Sequence, residues 1–116
     1  MASSITISGV KPGVGAGPQT IGPLTITANA SIGAVTDIVL ASGANTITVP
    51  AGSTAMVIVP PTTNTQTLTL KGVTGDTGVP LSPTQPSVIS FPASAPSTVV
   101  LTAGALFSGI TEISFI

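Results

Sequence analysis

Histidine, cysteine, tyrosine and tryptophan are all missing from this 116-residue chain, and only Lys11, Asp37, Lys71, Asp76 and Glu112 are charged at pH 7. Each absence removes a class of chemistry. Without imidazole there is no near-neutral proton shuttle, and the serines lack the usual base to activate them. Without thiolates or imidazoles no soft-metal site can form. Without Trp or Tyr a sugar has little to stack on. The missing cysteines also exclude a disulfide framework, and they are compatible with synthesis in a cytoplasm.

Charge is just as scarce. The net charge is −1, and the two lysines lie sixty residues apart. Nucleic-acid binding needs clustered Lys and Arg to displace counterions, so no such partner is expected. No apolar run approaches the roughly 18–20 residues of a membrane span, so no membrane partner is expected either. Met1-Ala2-Ser3-Ser4 has neither the basic nor the apolar region of a signal peptide. A surface with so few like charges resists association weakly, which suits a chain that lives in an assembly.

What is present points to strands. Ile, Val and Thr number 12, 12 and 19, so over a third of the chain is β-branched, stiff at χ1 and suited to pleated sheet. Eleven prolines and thirteen glycines break it too often for a long helix. The length is that of one domain, enough for an independent core. That core is expected to be aliphatic, since Ile, Val and Leu dominate and only Phe91, Phe107 and Phe115 are aromatic. Residues 5–8, 24–27, 46–49 and 67–70 alternate aliphatic and hydroxyl side chains, the pattern of strands with one covered face. Residues 37–41, 55–59 and 98–102 are apolar on both faces, and such strands call for cover on both sides from a loop or a neighbouring subunit. The segment 110–116 reads as a docked final strand.

The strand-like segments start at 4, 25, 46, 67 and 88, a step of 21. A solenoid of stacked coils has such a period, and its threonine ranks would suit ice binding. A sandwich of short strands gives the same spacing, and it is favoured because the intervening loops share little. The expected fold is therefore all-β, an antiparallel β-sandwich or jelly-roll of about eight short strands over residues 24–116. It is preceded by a first strand and a Gly/Pro-rich arm over 1–23. In residues 9–23 more than half of the positions are Gly or Pro, so no ladder is expected to persist there. This segment is either a mobile loop or an arm that adds residues 5–8 to a partner's sheet edge.

The candidate sites are few. Gly72, Gly75 and Gly78 have collagen-like spacing, but three triplets cannot hold a triple helix, and a glycine turn with Asp76 capping its own backbone is expected. Asp37, Asp76 and Glu112 form no calcium-loop pattern and no recognisable hydrolase pair. The glycines of 13–17 are followed by no Lys-Ser/Thr and are no phosphate loop. The chain reads as a non-enzyme with no cofactor, no metal and no small-molecule substrate.

The run Asn45–Pro61 followed by Thr67–Gly78, with its Thr, Ser, Gly, Ala and Val bias, resembles small β-rich virion proteins of tailed bacteriophages. The most distinctive part is Leu-Lys-Gly-Val-Thr-Gly-Asp-Thr-Gly at 70–78. The resemblance implies a capsid decoration protein that binds and stabilises the assembled shell. It equally admits a tail, fibre or collar component. It implies a virion location after synthesis in the host cytoplasm, major capsid protein or other virion subunits as partners, and a homo-oligomer, trimers above all. The residues expected to carry partner contacts are Ile5, Ile7, Lys11 and Val14 in the arm, and Phe115 and Ile116 in the final strand. A Thr-rich solenoid module binding ice or carbohydrate is the reading from another class.

Overall fold

The computed structural model describes residues 4–11, 19–27 and 35–116. Ten strands lie among them: β1 (Ser4–Lys11), β2 (Gln19–Thr27), β3 (Val35–Ile38), β4 (Gly43–Thr48), β5 (Ala55–Val59), β6 (Leu68–Lys71), β7 (Val79–Leu81), β8 (Ser87–Ser90), β9 (Thr98–Ala103) and β10 (Thr111–Phe115). None of the described residues is helical. The last eight strands form two four-stranded antiparallel sheets, in the orders β3-β10-β5-β8 and β4-β9-β6-β7.

The pairing is nested. β3 pairs β10, β4 pairs β9, β5 pairs β8 and β6 pairs β7, as in a long hairpin folded over on itself. The β10–β5 and β9–β6 ladders then close the two sheets. One core lies between them. Met56, Ile58, Ile113 and Phe115 come from the first sheet, while Ile47, Leu68, Val99, Leu101 and Ala103 come from the second. Alternation does this directly: along β10, Thr111, Ile113 and Phe115 are buried while Glu112 is exposed and Ser114 half-buried. The arrangement is a β-sandwich.

The solenoid reading is overturned by this order. The segments stepping by 21 fall on β1, β2, β4, β6 and β8, but β9 stands between β4 and β6 and β10 beside β5. Stacked coils would make the successive segments neighbours; a chain that returns through β9 and β10 cannot.

Strands expected to be apolar on both faces resolve differently. In β9, Val99 and Leu101 face the core, and Val100, on the opposite face, is only 4% exposed. Val100 sits between Thr46 and Lys71 of the adjacent strands, so it is covered inside its own sheet. The segment 37–41 is not a continuous strand: β3 stops at Ile38, Leu40 turns into the core and Val39 is 47% exposed.

β1 and β2 form a separate two-stranded sheet, from Ser4 opposite Thr27 to Lys11 opposite Gln19. A ladder does persist through 9–11 and 19–21, contrary to the expectation from composition. The register shifts between Ile7 and Gly9, leaving Gly22 and Pro23 opposite Ser8. Pro23 thus sits at a bulge, where a missing N–H costs no ladder bond. The division expected between 23 and 24 falls inside β2.

Candidate functional site

Antiparallel register brings four connections to one end of the sandwich: 39–42, 60–67, 82–86 and 104–110. Named bonds hold them together. The Phe107 N–H donates to the Leu40 carbonyl at 3.0 Å, and the Gly104 N–H to the Thr67 carbonyl at 3.1 Å. Asn64, 4% exposed, is the central tie. Its Nδ2 donates to the carbonyls of Gln66 and Pro83, both at 2.9 Å, and its Oδ1 accepts from the Gln66 N–H at 3.1 Å. A buried amide satisfied in this way fixes two loops against each other. Asn45 does similar work at the start of β4: its Oδ1 accepts from the Ala41 N–H, and its Nδ2 donates to the carbonyls of Ala41, Gly43 and Leu101.

None of these four connections carries a charge. They or the strand ends beside them carry four of the exposed large aliphatics, Val39, Val59, Leu106 and Ile110, the last two 64% and 60% exposed. Beneath them Leu40 and Phe107 plug the core, 0% and 1% exposed. On the strand ends beside these connections stand two charges, Asp37 and Glu112. They stand opposite one another on β3 and β10, and Val59 lies opposite Glu112 on its other side. The result is an uncharged end, aliphatics standing among exposed hydroxyls, with two carboxylates on its rim.

The opposite end differs. A shallow, open depression of about 570 Å³ is lined by Leu70, Lys71, Gly72, Asp76, Thr77, Gly78, Val79 and Val99. The turn above it behaves as its glycines and acid imply. Asp76 Oδ2 accepts from the N–H groups of Gly72 at 3.1 Å and Val73 at 3.0 Å. Gly78 has φ +80°, and a Cβ there would stand 2.6 Å from Lys71 Cγ, so only glycine fits. The Lys71 ammonium donates to the Thr74 carbonyl at 3.5 Å. These charges organise a hairpin and present no reactive pair.

The three acids do not meet: Asp37 and Glu112 share one sheet, and Asp76 lies on a turn of the other. No group of three acids, or other potential ligands, able to hold a metal ion occurs among the described residues.

The expected contact residues are scattered. Ile5 and Ile7 lie on β1 opposite Ile26 and Leu24, Lys11 ends that strand, and Val14 lies outside the described residues. Phe115 is a core residue, 1% exposed, on a strand with neighbours on both sides; alternation turns it inward, which removes it from surface contact. Ile116 is half-buried, and its carbonyl accepts from the N–H groups of Thr54 and Ala55 at 2.6 and 3.3 Å. Leu106 escaped sequence reasoning because a single aliphatic in a loop shows no periodicity, while Val39 and Ile110 were expected in strands and instead lie on exposed connections. The signal that could have found them is the lack of any charge between residues 38 and 70 and in 104–110.

Comparisons with protein-family models, with curated proteins and with solved structures find no match for this chain.

Proposed function

We propose that this chain is a non-enzymatic virion structural subunit, most simply a capsid decoration protein, that docks through the uncharged loop end with its exposed aliphatics. The observation that carries the reading is that end itself: Val39, Leu106 and Ile110 exposed on loops that Phe107 and Asn45 hold in place. Ordered, uncharged loops bearing large aliphatics suit burial against a protein surface. The rim acids Asp37 and Glu112 call for a basic group on that surface.

The nested strand order supports the same reading. We infer that it is a jelly roll, the eight-stranded double sheet shared by viral capsid and lectin domains. Fold alone carries no function, and the loop end is what separates the virion reading from a lectin one here. A subunit that binds only the assembled shell stabilises it by mass action. The hairpin β1–β2, with Ile5, Ile7 and Lys11, is a second contact in this proposal.

The test is co-sedimentation of the purified chain with purified particles of the phage that encodes it. Saturable binding with a fixed copy number per particle supports the reading. No binding at any ratio, together with absence of the chain from purified particles, overturns it.

A further inference from the structure

We infer that β4 is a self-association edge, where a second copy of this chain adds its own β4 about a two-fold axis. The two sheets have four edge strands, β3, β8, β4 and β7. An edge strand displays unpaired N–H and C=O groups, and folded proteins blunt such edges with charge, proline or shortness. Three of the four are blunted. β7 has three residues with Pro80 in the middle, β8 has four residues between Pro86 and Pro92, and β3 has four residues and carries Asp37.

β4 is not blunted. It runs six residues, Gly-Ala-Asn-Thr-Ile-Thr, about 20 Å at the usual rise per residue, with neither proline nor charge. Its ladder to β9 covers one side. Among the described residues no strand pairs its other side.

The occupant follows from charge and register. No charged residue lies between 38 and 70, so a second β4 approaches without repulsion, while a charged strand would find no complement. In antiparallel pairing, residues directly opposite share a face. Ala44, Thr46 and Thr48, all exposed on the outer face, would therefore meet Ala44, Thr46 or Thr48 of the second copy. Uncharged Thr pairs across strands are favourable. The product is one continuous eight-stranded sheet with a sandwich on either side. This two-fold pair stands in place of the trimer that the resemblance implies, and it is independent of docking by the loop end.

The experiment is light scattering over a concentration series on the full chain, with hydrogen exchange measured at the same concentrations. The expected result is a mass that doubles with concentration while exchange at the β4 amides slows in step. In the double variant Thr46→Lys with Thr48→Lys, like charges face each other across the pair, and the concentration for half-association rises about ten-fold or more. Hydrogen exchange on the natural chain keeps the test decisive should the variant fold poorly. A monomer throughout the series up to about 1 mM, or an oligomer whose formation leaves β4 exchange unchanged, overturns the inference.

Discussion

Glu112 on β10 stands directly opposite Asp37 on β3, so two of the three acids in a chain with five charges oppose one another across an antiparallel pair. Both are exposed. Like charges in this position destabilise a sheet by a fraction of a kcal/mol up to about 1 kcal/mol. Glu112→Gln should therefore raise stability by that amount at low salt in urea unfolding. The gain should shrink as salt screens the pair. A loss of stability would show that the hydrogen bond Ser114 Oγ donates to Glu112 Oε1 at 3.4 Å outweighs the repulsion.

Asn64 holds the loop end together, and Asn64→Ala would strand the Gln66 N–H and the Pro83 carbonyl. Leaving buried groups unpaired costs about 1–3 kcal/mol. Thermal unfolding should show that loss, and hydrogen exchange should rise at Gln66. An unchanged melting temperature would mean that water replaces the amide without cost.

Phe115 belongs to the core, so Phe115→Ala should cost about 3–5 kcal/mol rather than dissociate an oligomer. Removal of residues 115–116 also takes away the acceptor for the Thr54 and Ala55 N–H groups. The truncated chain should lose cooperative unfolding by circular dichroism. Retained cooperativity would contradict the burial of Phe115.

Among the described residues, the buried core between the sheets runs from Leu40 to Phe115, with Ile38 packed against it. Removing 1–27, the whole β1–β2 hairpin, should leave a sandwich that unfolds cooperatively with a melting temperature within a few degrees of the full chain. Cutting at 23 would instead leave Leu24–Thr27 without a partner strand. Failure of the remaining 28–116 portion to fold would show that the hairpin supports the core.

The strands were legible because period-2 alternation survives in a chain with few charges. Thr46-Ile47-Thr48 and Glu112-Ile113-Ser114 sort to two faces by side-chain type alone. The turn at 72–78 was legible too, since Asp76 beside spaced glycines has one economical use. Strand order was not, because pairing β3 with β10 joins residues over seventy positions apart and leaves no local trace. Composition misled at Gly22-Pro23, where a bulge tolerates what a regular ladder would not. It misled again at Phe115, where an aromatic near the chain end is a core residue. The loop end was hidden because its residues converge only after folding.

The most direct test of the central claim is particle binding by surface variants at the two ends of the sandwich. Leu106→Asp with Ile110→Asp alters the loop end, and Val73→Asp alters the opposite end; all three positions are more than half exposed. Surface changes of this kind shift stability by only about 0.5 kcal/mol, so folding should be retained in each. The account predicts that co-sedimentation with purified phage particles is lost in the double variant and preserved in Val73→Asp. Full binding by the double variant, with its fold intact, would contradict docking through the loop end.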